Sequence, residues 1–225
     1  MFRQTFAGLV VASALTLPAA AATITLDSFD FTNYQAVGAP SLGAIPENPA
    51  TSTQAAADAI GGSRTITAVR TVPSGTTDAF GRQVQAVVTG GSATVSVAAG
   101  VQGYVMFDYN ATSVDLTDGG TNGWIDLSVI SADLAVTYTV TIDGVSATKV
   151  GATGSTVSWA FSEFSTVDFT QVGAISLTVT GPASFDTEFD DFLVRGQVGV
   201  VPLPASGLML LAAAGGLALA RRRRS

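Results

Sequence analysis

Two residue types that carry much of enzyme chemistry are missing from this chain. Its 225 residues include no His and no Cys. This removes the usual general base, the Ser-His-Asp and Cys-His arrangements, and metal ligation by imidazole or thiolate. A carboxylate pair across a cleft could still hydrolyse a glycoside, but the only Glu residues are Glu47, Glu163 and Glu188. We therefore predict that the chain is not an enzyme and keep a carboxylate-based glycosidase as the least favoured alternative.

The loop from Asp115 to Gly123 is rich in oxygen ligands and glycine. It departs from the EF-hand spacing and has no Glu at the twelfth position. An ordinary turn is the favoured interpretation.

Charge is distributed unevenly along the chain. All 17 acidic residues lie between Asp27 and Asp191, and the five basic residues nearest to them leave this region with a net charge of −12. Because no Lys or Arg cluster is present there, we expect no binding of nucleic acid or anionic lipid by charge. A neutral sugar or calcium suits such a surface better.

Hydrophobic alternation predicts the elements that must position any site. Val136 to Ile142 alternates apolar residues with Thr, Asp143-Gly144 follows, and the alternation resumes from Val145. This pattern predicts a β-hairpin with a type I′ turn. Further short strands and the lack of amphipathic helices indicate one all-β domain over residues 23–196, an antiparallel sandwich of two packed sheets. We expect residues 36–62 to form a long loop with one helical turn around residues 53–60, and Trp124 and Trp159 to lie in the core.

Five segments of this region carry a family resemblance. They are Leu26 to Asp30, Gly61 to Arg64, Trp159 to Phe164, Asp168 to Leu177 and Phe189 to Val194. Together they resemble the galactose-binding-like jelly rolls typified by family 11 carbohydrate-binding modules. The resemblance implies a jelly-roll sandwich that binds carbohydrate.

The same resemblance implies a structural calcium ion held by acidic residues of the first and last strands. The candidate ligands are Asp27, Asp30, Asp190 and Asp191. Carboxylates are suitable ligands, since calcium takes six to eight oxygens. The alternative is that these residues are solvated surface acids. The candidates for aromatic residues that contact sugar are Tyr104, Tyr109, Trp124 and Tyr138.

The C-terminal residues have the order of a sorting signal. An uncharged stretch of 23 residues, Val198 to Ala220, ends at four Arg residues and is long enough to cross a hydrocarbon core of about 30 Å. We predict a transmembrane helix at about residues 203–220, with the Arg block on the cytoplasmic side. The motif consists of Val201, Pro202, Leu203, Pro204 and Ala205, and the Arg block consists of Arg221, Arg222, Arg223 and Arg224.

This tail, residues 197–225, resembles the PEP-CTERM sorting signals of the variant that reads Val-Pro-Leu-Pro-Ala. The resemblance implies processing by a membrane-embedded exosortase. A plain C-terminal anchor is the alternative.

The N-terminal residues 1–22 have the features of a signal peptide. Arg3 precedes an apolar stretch from Phe6 to Leu17, and Ala20-Ala21-Ala22 fits signal peptidase, so we expect cleavage between Ala22 and Thr23. The sequence thus predicts export across the inner membrane, membrane anchoring by the tail until it is processed, and a final position at the cell surface or outside the cell. A structural or adhesive protein of an exopolysaccharide matrix is the favoured function, with a carbohydrate-binding module as the alternative.

Overall fold

The computed structural model describes residues 23–30, 35–39, 49–71 and 83–196. Within these ranges the chain forms thirteen strands, joined by turns and by two short 3-10 segments, Ile60–Gly62 and Phe161–Glu163. The strands are β1 (Ile24–Asp27), β2 (Gln35–Ala39), β3 (Ala50–Ala55), β4 (Ser63–Arg70), β5 (Val84–Thr89), β6 (Ser92–Val97), β7 (Gly103–Val114), β8 (Asn122–Ala132), β9 (Val136–Ile142), β10 (Val145–Gly151), β11 (Ser155–Ala160), β12 (Val172–Thr180) and β13 (Asp186–Gly196).

The strands form two antiparallel sheets. One sheet has seven strands in the order β11-β8-β13-β6-β5-β2, with β1 also paired to β13. The other has six strands in the order β10-β9-β12-β7-β4-β3. The prediction of an all-β sandwich is therefore confirmed.

Aromatic side chains from both sheets meet in the core. Phe107 of the six-stranded sheet contacts Phe189 of the seven-stranded sheet edge to face, with ring centroids 5.5 Å apart. Phe29 and Tyr138 pack edge to face against the same Phe189 ring. Such pairs add about 0.5–1.5 kcal/mol beyond the burial of their area. Trp159 is fully buried, as predicted.

The predicted hairpin is present as β9 and β10. Val145 pairs with Ile142 across the Asp143-Gly144 turn, and both turn residues have positive φ, 46° and 85°, as a type I′ turn requires. The Asp143 carboxylate also accepts hydrogen bonds from the backbone N–H groups of Gly173 and Ala174, at 3.1 and 2.8 Å. The turn is therefore attached to the start of β12.

The prediction of a long loop over residues 36–62 is wrong. This region contains β2 and β3, which pair with β5 and β4 respectively, and the 3-10 turn begins at Ile60 rather than near residue 53. In β3 the inward positions hold Ala50, Ser52 and Gln54, so the strand lacks the apolar alternation that marks a strand in sequence. Its edge position makes that composition tolerable.

The first and last strands are neighbours. Ile24 pairs with Val194 in an antiparallel register, so both ends of the sandwich chain leave at the same end of the seven-stranded sheet. The described residues include no helix with the length and hydropathy that a membrane span requires. The predicted signal peptide and sorting tail lie outside the described residues.

Candidate functional site

The outer face of the six-stranded sheet is covered by hydroxyl groups. Two adjacent rows of side chains cross all six strands, and ten of these twelve positions are Ser or Thr. We call these ten residues the hydroxyl face: Thr51, Thr53, Thr65, Thr67, Thr139, Thr141, Ser146, Thr148, Ser176 and Thr178. Met106 and Asp108 of β7 occupy the other two positions.

Strand pairing brings these hydroxyls together in couples. Thr139 and Thr148 share a hydrogen bond of 2.9 Å, and Thr141 and Ser146 share one of 2.8 Å. At the other side of the sheet, Thr53 bonds to Thr65 at 2.9 Å, and Thr51 bonds to Thr67 at 3.2 Å. A hydroxyl has one donor and two acceptor positions. Each couple therefore holds its oxygens in place and still has capacity to bind a ligand.

A small cavity lies at one end of the hydroxyl face. Its volume is about 140 Å³, and it is lined by Asp108, Thr141, Ser176 and the turn residues Asp143 and Gly144, among others. Burial raises the pKa of the Asp108 carboxyl above its ordinary value. The cavity thus offers carboxylate and hydroxyl oxygens together, which suits a ligand that donates hydrogen bonds.

The candidate sugar-contacting aromatics do not share one face. Tyr104 lies on the outer side of β7, one row beyond the hydroxyl face, where it is partly exposed. Tyr109 and Tyr138 face the core and are buried. Trp124 lies on the outer side of the other sheet and is only partly buried, so the prediction that it is a core residue is wrong. Tyr104 is the one candidate beside the hydroxyl face.

Asp27, a candidate calcium ligand, is in a buried ion pair. The Nη1 atom of Arg64 donates to both carboxylate oxygens of Asp27, at 2.8 and 2.6 Å, and both residues are almost fully buried. Arg64 Nε donates to Gln35 Oε1 at 3.1 Å, and its guanidinium lies 5.4 Å from the Phe29 ring centroid. The Tyr109 phenol is buried in the same region. Burial, followed by the charge of Asp27, raises its pKa well above the ordinary value.

Of the other acidic candidates, Asp30 and Asp191 are exposed and Asp190 is partly buried. Asp190 precedes the bulge residue Asp191 in β13, and Asp30 lies against Gly91. The described residues include no group of three or more Asp, Glu, His or Cys arranged to hold a metal. The Asp27 carboxylate is already paired with the Arg64 guanidinium. The four acids as placed do not fit a calcium cage. Calcium binding stays a prediction, which melting curves with and without calcium would test.

Asp190 gives the domain a defined response to pH. Burial, together with the charges of Asp191, Asp30 and Asp27, raises its pKa above the ordinary value of 3.8. The native state therefore binds this proton more tightly than the unfolded state. The contribution to stability is complete below pH 3.8 and is lost as pH rises through the raised pKa. We expect Asp190→Asn to raise the unfolding midpoint at pH 7 and to remove the part of its rise that protonation of Asp190 produces as the pH falls towards 3.8.

Asp168→Asn is the matched control for that measurement. Hydrogen bonds from Thr170 lower the pKa of Asp168, so this carboxylate stabilises the native state at pH above its ordinary pKa. Its substitution should lower the midpoint at pH 7. A lower midpoint in Asp190→Asn as well would contradict the assignment of repulsion at Asp190.

Residues 115–121 connect β7 to β8 through turns, and Asn122 and Gly123 already belong to β8. Asp115 Oδ1 accepts hydrogen bonds from the backbone N–H and the hydroxyl of Thr117, at 2.8 and 2.6 Å. Its side chain is therefore used within the turn.

Comparison with known proteins places carbohydrate-binding modules among the structural neighbours. A family 11 carbohydrate-binding module of a cellulosomal cellulase of Clostridium thermocellum is 15% identical, covers 80% of this chain and 97% of its own, and has a TM-score of 0.42. TmCBM61, in complex with β-1,4-galactotriose, is 11% identical over 76% of this chain and 94% of its own, with a TM-score of 0.34. No protein-family model and no curated protein matches the chain.

The remaining predicted sites cannot be placed. The cleavage site at Ala22, the motif from Val201 to Ala205 and the block from Arg221 to Arg224 lie outside the described residues, apart from Thr23.

Proposed function

We propose that the chain is a non-catalytic protein that binds a neutral polysaccharide on its hydroxyl face. The observation that carries this proposal is the array of ten Ser and Thr residues on five of the six paired strands, with Met106 and Asp108 of β7 between them. Sugar hydroxyls both donate and accept hydrogen bonds, and so do these side chains. An extended glycan lying across the strands can form many such bonds at once.

Charge favours a neutral ligand. The two rows include no Lys or Arg, and Asp108 is their one charged residue. An anionic glycan would meet this carboxylate and the net charge of −12 in this region without a cation to compensate. Neutral glycans avoid that repulsion.

We include a jelly-roll architecture and a non-catalytic role in this proposal. The contacts of the Glu residues support the non-catalytic role. Two of the three Glu residues are engaged at separate elements: Glu163 pairs with Lys149 at 2.9 Å, and Glu188 accepts a hydrogen bond from Ser92 at 2.8 Å. Each carboxylate thus has a local role that does not require catalysis.

The matrix function predicted from the sequence fits this binding role. The sequence also predicts a signal peptide over residues 1–22 and a sorting tail over residues 197–225. We propose that signal peptidase and an exosortase process these ends, and that the sandwich then binds exopolysaccharide at the cell surface or outside the cell.

Affinity electrophoresis tests the ligand class. We expect the protein to be retarded in gels that contain neutral mixed-linkage β-glucan, β-1,4-galactan or mannan, and to migrate freely in gels that contain polygalacturonate. Bovine serum albumin, another acidic protein, controls for non-specific retardation. Retardation by polygalacturonate alone, or by none of the four, would contradict the proposal.

A further inference from the structure

A second group of side chains suited to a ligand lies on the opposite side of the sandwich. Trp124 and Arg195 are paired across β8 and β13, and both project from the outer face of the seven-stranded sheet. The Arg195 guanidinium carbon lies 5.3 Å from the Trp124 ring centroid, within the range of a cation–π contact. Asp126 is the next residue of β8 after Trp124 whose side chain projects outward. Its carboxylate Oδ2 accepts a hydrogen bond from Arg195 Nε.

Asp126 has unused hydrogen-bonding capacity. The residue is only 6% exposed, and among the described residues its Oδ1 atom has no hydrogen-bond partner. A buried acceptor without a partner is unfavourable, and more so when it is charged. A ligand that donates a hydrogen bond to Oδ1 would recover this free energy. Arg195 contacts both Asp126 and Trp124 and is 38% exposed, so a shift of its guanidinium would open both groups together.

The three side chains match the chemistry of a sugar ring. An indole presents a large apolar face, a carboxylate accepts hydrogen bonds from neighbouring hydroxyls, and a guanidinium donates up to five. Ser158 and Leu193 pair with Asp126 on the adjacent strands, and Thr25 pairs with Leu193. On β11 the neighbours of Trp124 and Asp126 are the small residues Ala160 and Ser158, so that a ring can approach the indole from that side.

We propose that Trp124, Arg195 and Asp126 form a second saccharide site, and that the protein cross-links neutral polysaccharide through its two opposite faces. This inference rests on the proposed function of the hydroxyl face. The two sheets of a sandwich lie about 10 Å apart, and their outer faces point in opposite directions. One straight segment of glycan cannot reach both faces, so occupation of both sites joins two segments.

Precipitation of a soluble polysaccharide tests cross-linking. We expect the full-length chain to sediment mixed-linkage β-glucan, with a maximum at an intermediate ratio of protein to glucan. At higher ratios each glucan segment binds a separate protein molecule, so fewer cross-links form. Trp124→Ala should bind the glucan in gels yet sediment at least tenfold less of it. Thr94→Val, on the outer face of the same sheet, is the matched control and should sediment as much as the wild type.

A fluorescence measurement tests the site of Trp124 without the Trp124→Ala variant. The chain has two Trp residues, and Trp159 is fully buried. In a Trp159→Phe background, β-glucan oligosaccharides should change the emission of Trp124, and Asp126→Asn should remove that change. Substitutions on the hydroxyl face should leave it intact.

The outcomes separate the two proposals. If the wild type binds β-glucan but does not sediment it, or if Trp124→Ala sediments it equally well, the cross-linking inference is wrong. Neither result contradicts polysaccharide binding by the hydroxyl face. If hydroxyl-face variants bind as the wild type does while Trp124 responds to sugar, the proposed function of the hydroxyl face is wrong. A wild type that neither binds nor sediments glucan, galactan or mannan overturns both.

Discussion

Asp27→Asn should strongly destabilise the domain although it keeps the size of the side chain. The change removes the charge that compensates the buried guanidinium of Arg64, whose side chain is 1% exposed. Breaking a buried pair by neutralising one partner typically costs about 3–5 kcal/mol, because the remaining charge stays buried. In a domain of this size the unfolding midpoint should fall by roughly 10 °C.

Asp186→Asn is the matched control for this prediction. Asp186 is an exposed acid in β13, so its neutralisation should change the midpoint by only a few degrees. Replacing both members of the buried pair, as in Asp27→Leu with Arg64→Met, should recover part of the loss, since no uncompensated charge remains. A midpoint for Asp27→Asn equal to that of the control would show that the pair does not matter for stability.

Removal of three hydroxyls from the hydroxyl face should weaken polysaccharide binding at least tenfold. Thr67, Thr139 and Thr178 lie in one row on β4, β9 and β12. Val has nearly the shape of Thr but lacks the hydroxyl, and it suits a strand equally well. Each lost hydrogen bond is worth about 0.5–1.5 kcal/mol, so three together exceed the 1.4 kcal/mol that corresponds to a factor of ten.

The triple variant Thr89→Val, Thr94→Val and Thr156→Val provides the matched comparison. These residues project from the outer face of the seven-stranded sheet, so they contribute the same chemistry at another place. Titration of β-glucan by affinity electrophoresis compares the two variants. Equal weakening in both would mean that the hydroxyl face has no special role.

Local periodicity predicted much of this fold. The β9–β10 hairpin follows from apolar alternation and from Asp143-Gly144, which are neighbours in sequence. The strands β2 and β3 were missed because neither carries that alternation. The Phe189-Asp190-Asp191-Phe192 segment also departs from period two, and a bulge after Asp190 allows both Phe side chains to face the core. Such a bulge depends on the partner strands β8 and β1, which local sequence does not reveal.

The site was harder to predict because it depends on register between distant strands. Its sequence signal is a hydroxyl residue at every second position, as in Thr65-x-Thr67 and Ser176-x-Thr178. That pattern became a surface only when β4, β7, β12 and β9 were aligned by pairing. In the same way, Asp27 and Arg64 are 37 residues apart, and no pattern in the sequence pairs them. The family resemblance correctly predicted that the first and last strands lie close together. It did not predict that the Asp27 carboxylate forms an ion pair with Arg64.

The central claim is that polysaccharide lies on the hydroxyl face, and a nuclear magnetic resonance titration tests it most directly. Backbone amide shifts of the segment from residue 23 to residue 197 would be followed as mixed-linkage β-glucan oligosaccharide is added, with galactan and mannan oligosaccharides in parallel. We expect the largest changes in the strand centres around Thr67, Thr139 and Thr178, with a second set near Trp124. Binding that leaves the amides of the hydroxyl face unperturbed would contradict the account.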